Sequence, residues 1–345
     1  MNLKRLVTLL AVLGLVIVSI YGYILYDSAF SKSIQNWDEK QYFTIPTNTS
    51  YQEVRQLLEP YISDLEKFDK VSGQTNYDSN VISGRFKLKN GMSNYDVVQA
   101  LRKNVPVRLT FNNQERLEDL VGRIASQIEP DSLSLLASFT DPDFLQESGF
   151  TKETVLAVFM PNTYEFYWNV SPLKVRNTLH KEYMRFWTTE REEKAKALGL
   201  SPVEVAVLAS IVQKETAKND EKERVAGVYL NRLNTGMPLQ ADPTVVFAKK
   251  KYTNDFTQVI KRVYHKDLEI PSPYNTYQNA GLPPGLIFMP DVSSIDAVLN
   301  AEKHPYMYFC ASVDRLGYHE FAQTLAQHNE NSKKYSRWLN NQGIK

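Results

Sequence analysis

One carboxylate in this chain stands apart by its position. Residues 208–220 read LASIVQKETAKND, and from Val203 to Val212 the chain is apolar nearly all round, the mark of a helix buried in a domain. Glu215 follows that run after Gln213 and Lys214. It is either the first solvated residue past the core, or an acid held at the floor of a site. In the second case burial disfavours its charged form and raises its pKa. Glu204, 11 residues earlier on the same stripe, is close to three turns and ~16 Å away along the helix axis. Paired catalytic carboxylates sit roughly 5–9.5 Å apart, so these two cannot flank one bond. Glu204 is also occupied elsewhere, because Ser201-Pro202-Val203-Glu204 reads as a capping box with proline at the first helical position. Whatever Glu215 does, it does without Glu204.

The elements around Glu215 follow from periodicity and punctuation. A helix over Asp220–Asn234 presents Val225, Val228, Tyr229 and Leu233 on one face and stops at Gly236. Upstream, Asp141–Gly149 reads as a polar linker, and a long amphipathic helix is expected from Pro172 to about Leu198, ended by Gly199. Downstream, 238–247, 272–285 and 317–329 are polar, proline- and glycine-marked stretches of the kind that form sites. Lys214 lies about 100° round the helix from Glu215. Arg224 and Arg232 read as salt-bridge or cap residues.

The amino-terminal part is organised differently. Residues 42–58, 85–101 and 108–124 each give a short alternating strand, a polar turn and an amphipathic helix, three small α+β units. Ahead of them, Lys4 and Arg5 precede Leu6–Tyr26, 21 residues without a charge. That length spans a bilayer core. It ends in Tyr21, Tyr23 and Tyr26, an aromatic belt rather than a cleavage site, so an uncleaved anchor is expected at 6–26 with residues 1–5 cytoplasmic. The expected organisation is a membrane-proximal region at 27–145 and a second domain at 150–345, α+β throughout, with the 201–215 helix buried at its centre. A length of 345 residues suits two domains. A net charge of +1 lacks the basic footprint that nucleic-acid binding needs. One cysteine, Cys310, forms no intramolecular disulfide. Five scattered histidines without HExxH or a cysteine pair give no metal site.

Four ordered motifs now carry a resemblance: LASIVQKET, RVAGVYLNRLNTGMPLQADPTVVF, PYNTYQNAGLPPG and YFCAS…GYHEFAQTLAQHN. Together they resemble the endolytic murein transglycosylase family (MltG, YceG-like), over about 155–345 in full, with 27–145 similar to its LysM-like membrane-proximal region. The resemblance implies cleavage of the β-1,4 bond between N-acetylmuramic acid and N-acetylglucosamine by attack of the muramyl 6-hydroxyl on its own anomeric carbon. One acid/base residue suffices for that, and no cofactor is called for. It also implies Glu215 as that residue, in a motif that usually reads E-K-E-T and here reads Gln213-Lys214-Glu215-Thr216. Gln240, Asp242, Thr244, Tyr274, Asn275, Tyr277, His319 and Asn329 fall at the family's polar positions and are the candidate substrate-binding residues. Asp242, before a proline, is alternatively an Asx-type cap. His319 is alternatively a hydrogen-bonded structural histidine. Peptidoglycan strands, the cytoplasmic membrane and, through strand termination, penicillin-binding proteins are the implied partners, with the catalytic domain on the outer face. Two segments depart from the pattern: Leu286–Asp291 replaces P-I-x-N-P-G after GLPPG, and Asn112-Asn113-Gln114 stands where Pro-Glu-Gly is usual.

Two other function classes compete. A non-catalytic peptidoglycan-binding scaffold needs no buried acid. A pyridoxal-phosphate lyase using Lys214 lacks a phosphate-cradling glycine loop.

Overall fold

A computed structural model describes residues 3–341. The chain is mixed α and β and divides into two compact units. The first comprises residues 1–109, 127–130 and 164–171, and the second comprises 110–126, 131–163 and 172–345. This division differs from the boundary expected at 145–150. The stretch Asp141–Gly149 is no linker: it holds a helix, Pro142–Ser148, whose start is capped by the Asp141 carboxylate and whose end is the left-handed Gly149. Aspartate, proline and glycine there are N-cap, first-turn residue and C-cap.

In the first unit, α1 (Leu3–Phe30) is a 28-residue apolar helix, long and apolar enough to cross a bilayer. Its last turn is tied to the folded part: Asp27 pairs with Lys67 at 2.6 Å, and the Asn94 side-chain amide donates to the Ser28 carbonyl. Then come β1 (Phe43–Ile45), α2 (Tyr51–Leu58), α3 (Leu65–Gln74), β2 (Gly84–Phe86) and α4 (Asn94–Ala100). β1 and β2 pair antiparallel, with Phe43 opposite Phe86 and Ile45 opposite Gly84. Capping boxes at Ser50–Glu53 and Ser93–Asp96 start α2 and α4. The three sequence repeats are therefore not three modules. A lone strand leaves its backbone polar groups unpaired, so the strands of the first two repeats pair with each other and enclose one core, in which Ile45, Val54, Phe68, Phe86 and Val98 are fully buried.

The division between the units falls within β3 (Val107–Phe111) and β4 (Asn162–Phe166), which pair. In the second unit, α5 (Leu117–Ala125), α6 (Ser132–Phe139) and α7 (Pro142–Ser148) lead to a 3-10 turn at Val155–Val158. α8 (Pro172–Phe186) and α9 (Thr189–Ala197) follow, then α10 (Pro202–Glu215), α11 (Asn219–Asn234), α12 (Asp242–Thr253) and α13 (Val292–Leu299). β5 (Tyr308–Ala311), β6 (His319–Ala322) and α14 (Leu325–Asn341) complete the described chain. The helix expected over 172–198 is two helices, because Thr188 leaves helical geometry and its hydroxyl caps α9 at the Arg191 amide. α10 packs against α11, α12 and α13, and every residue from Val205 to Val212 is buried.

Candidate active site

Both ends of α10 are fixed by its sequence. At the start, the Glu204 amide donates to Ser201 Oγ while the Glu204 carboxylate accepts from the Ser201 amide at 2.7 Å, the reciprocal arrangement of a capping box. At the end, the Thr216 amide still donates to the Val212 carbonyl at 3.3 Å, although Thr216 itself has turned extended. The Thr216 hydroxyl donates to Glu221 Oε2 at 3.2 Å and accepts from the Lys218 amide. Glu221 in turn accepts from the His319 amide and ring Nδ1, both at 2.8 Å. Glu215 is thus the last residue of a helix held from both directions.

The Glu215 side chain is half-buried: its carboxyl is crowded by protein yet opens into a cleft of about 1120 Å³. Lys214, Asp242, Pro243, Lys250 and Ile287 share the lining. The Tyr229 hydroxyl, from α11, donates to Glu215 Oε1 at 2.6 Å. Burial is the largest influence on Glu215 and pushes its pKa up to about 7; the Tyr229 hydrogen bond and the nearby Arg232 oppose that rise, and the Asp242 charge adds to it. Arg232 is buried and bound by main-chain carbonyls, Nε to Met307 at 2.7 Å and Nη1 to Leu239 at 2.5 Å. Burial lowers its pKa, yet an arginine stays cationic.

Asp242 is no Asx-type cap. The N-cap position of α12 is Ala241, without a side-chain cap bond, and Asp242 instead accepts at 2.7 Å from the Tyr277 hydroxyl. Burial and the hydrogen bond to Asp242 both keep that phenol protonated, its pKa well above the ordinary value. Behind this pair lies a polar staple. The Gln240 amide donates to the Thr276 carbonyl, and the Ala241 amide to Thr276 Oγ1. The Thr244 and Thr276 hydroxyls meet at 2.8 Å. Asn275 donates to the Leu268 and Ile270 carbonyls and accepts from the Tyr277 amide.

The structure therefore brings together Glu215, Asp242 and Tyr277 among the sequence candidates. Thr244 and Asn275 are fully buried and form the frame that aims Asp242 and Tyr277. The Gln240 side chain is exposed, with its backbone in the left-handed region at φ 49°. Tyr274 is buried against Phe247, with ring centroids 4.8 Å apart, outside the Glu215 cleft lining. His319 is occupied by Glu221, the structural alternative for that residue. Asn329 is exposed on α14, away from the cleft lining. Gln213, where the family's motif carries glutamate, donates to Asp291 Oδ2 at 2.9 Å and accepts from Ser294 and Lys222. A carboxylate there would face Asp291 directly.

Tyr229 and Arg232 were missed as site residues. Tyr229 reads as core because its ring is core; only its hydroxyl reaches the site. A signal was present, since a buried phenol needs an acceptor, and an otherwise aliphatic helix face offers none. A separate cavity of about 550 Å³ around Val203 and Leu230 carries Glu204, whose carboxylate is committed to the capping box. Among the described residues no group of three or more histidine, cysteine, aspartate or glutamate side chains could hold a metal ion.

Comparison with known proteins agrees with the four-motif resemblance. Residues 43–334 match the model of the YceG-like family. The endolytic murein transglycosylase of Bacillus subtilis (strain 168) is 30% identical over 271 residues, 73% of this chain and 72% of that protein. The endolytic murein transglycosylase of Streptococcus pneumoniae (strain D39) is 26% identical over 92% of this chain and 63% of its own length. A solved YceG-like protein of Listeria monocytogenes superposes with a TM-score of 0.56 at 27% identity, covering 84% of this chain and 99% of that one.

Proposed function

The chain belongs to the YceG-like family, and on that premise we propose that it is a membrane-anchored lytic transglycosylase of peptidoglycan, with Glu215 as its one acid/base. The observation that carries the proposal is the Glu215 carboxyl: last on a buried helix, open to a large cleft, with a pKa near 7. At neutral pH a large share of it is protonated, as a general acid requires.

The chemistry balances with that one group. The Glu215 carboxyl gives its proton to the glycosidic oxygen as the bond to the muramyl anomeric carbon breaks, releasing the N-acetylglucosamine side with a free hydroxyl. The resulting carboxylate then takes the proton of the muramyl 6-hydroxyl as that oxygen closes on the anomeric carbon. Glu215 ends as it began, the product is a 1,6-anhydro end, and no water is consumed. Tyr229 holds the carboxyl in place for both transfers, and its hydrogen bond stabilises the intermediate carboxylate. Asp242, oriented by Tyr277, puts negative charge beside the cleft where positive charge develops on the sugar.

The wider reading is that α1 anchors the chain in the cytoplasmic membrane with its amino terminus inside, after the Lys4–Arg5 pair. The order β1-α2-α3-β2, closed by an antiparallel pair, supports a LysM-like glycan-binding unit. An anchored enzyme of this kind cuts nascent strands beside the penicillin-binding proteins that polymerise them. The direct test is release of soluble fragments from isolated glycan strands. Wild type releases them, Glu215→Gln with unchanged circular dichroism does not, and full activity in Glu215→Gln would overturn the proposal.

A further inference from the structure

The carboxy-terminal helix brings residues to the Glu215 cleft that the catalytic account does not use. Tyr335 and Leu339 line the cleft from α14. They are four residues apart and so lie on one helix face. The Trp338 ring stacks alongside Tyr335, with centroids 6.0 Å apart and planes inclined by 19°. All three side chains are half-buried, and no residue of α14 is fully buried. This aromatic face therefore belongs to no core, and in a helix that is otherwise mostly polar it needs another reason. α14 packs on β5 and β6, and Lys334 pairs at the surface with Asp314 at 2.6 Å. The family match ends at residue 334, one residue before Tyr335.

We propose that Tyr335 and Trp338 form a saccharide platform, seating a sugar of the strand other than the one whose bond Glu215 protonates. This rests on the reading of the cleft as a glycan site. The C–H face of a pyranose carries partial positive charge and apolar surface. The negative face of an aromatic ring suits both. A cleft of about 1120 Å³ is larger than the ~300–1,000 Å³ of small-molecule sites and takes more than one ring. A platform of this kind acts on length preference: short oligosaccharides that do not reach it are bound without it.

The test is a titration of the full-length Glu215→Gln protein in detergent with peptide-free glycan tetrasaccharide and octasaccharide, followed by tryptophan fluorescence. The octasaccharide is expected to shift the emission, and Trp338→Phe, which leaves the other three tryptophans, removes that shift. Tyr335→Ala weakens octasaccharide binding about three- to tenfold, the worth of one aromatic stack. Tyr335→Phe restores it, and the tetrasaccharide is unaffected. Unchanged octasaccharide affinity in both Tyr335→Ala and Trp338→Ala overturns the platform alone. Absence of any saccharide binding in the parent protein overturns the platform together with the reading of the cleft.

Discussion

Glu215 and Tyr229 decide the proton chemistry of the cleft, and a change at either has a signed consequence. With a pKa near 7, the acid form of Glu215 disappears as pH rises through that value, so turnover falls on the alkaline side of about pH 7. The same shift enters stability. The folded-state value lies above the unfolded one of ~4.3, so the native state binds more protons between the two. The contribution is fully present below about pH 4.3 and lost as pH rises through about 7. Glu215→Gln, an isosteric neutral side chain, is expected to flatten this slope and to raise the melting temperature relative to wild type at pH 8, which a thermal-melt series across pH 4–8 measures. Tyr229→Phe removes the hydroxyl that donates at 2.6 Å. A hydrogen bond to a charged group contributes ~1.5–3 kcal/mol. Its loss is expected to move the alkaline limb of the rate profile up by about one pH unit or more and to cost roughly tenfold in kcat. An unmoved limb in Tyr229→Phe would remove Tyr229 from the account.

The elements hold Glu215 and Asp242 in place through contacts remote from the cleft. Gly285, in the proline-marked loop after 272, passes so close to the Glu153 carbonyl that an added Cβ overlaps the Glu153 backbone. Neither backbone can yield cheaply. Gly285→Ala is expected to cost ~2–3 kcal/mol, read as a lowered denaturation midpoint, while Gly281→Ser, where nothing lies within 4 Å, strains only its own positive φ and costs about 1 kcal/mol. At the end of α10, Glu221→Ala leaves the Thr216 hydroxyl and His319 without their acceptor. Both stability and kcat are expected to fall, with KM little changed. What was legible at this scale follows from physical signals of unequal strength. The S-P-V-E start and unbroken apolar run of α10 announce themselves, and so do the face and stop of α11. α12 does not: its N-cap is an alanine, Asp242 is diverted to Tyr277, and Val245–Ala248 are four apolar residues in a row with no helical period. α7 was hidden by caps that also mark linkers. Thr244 and Asn275 fall at the family's polar positions, but their polar groups bond Thr276 and the Leu268 and Ile270 carbonyls, because sequence does not show which way a polar side chain points.

Across the whole molecule, the first unit holds the apolar helix α1 and a paired two-stranded sheet, the second holds the cleft, and the chain passes between the units more than once. The length and composition of the apolar helix are plain in the sequence. The division between the units is not, because two later segments, 127–130 and 164–171, return to the first unit without a compositional sign. Removal of residues 1–26 leaves the Asp27–Lys67 pair and the Ser28 contact in place. That variant is expected to leave the membrane fraction and to keep its rate on soluble glycan strands, as fractionation and a product assay report. Whether Glu215 serves an internal nucleophile and admits no water to the bond is read most directly from the ends of fragments released from purified sacculi, by mass spectrometry. An internal nucleophile leaves 1,6-anhydro-muramyl ends, lighter by one water than reducing ends and absent with Glu215→Gln. Reducing muramyl ends from the wild-type protein would contradict it.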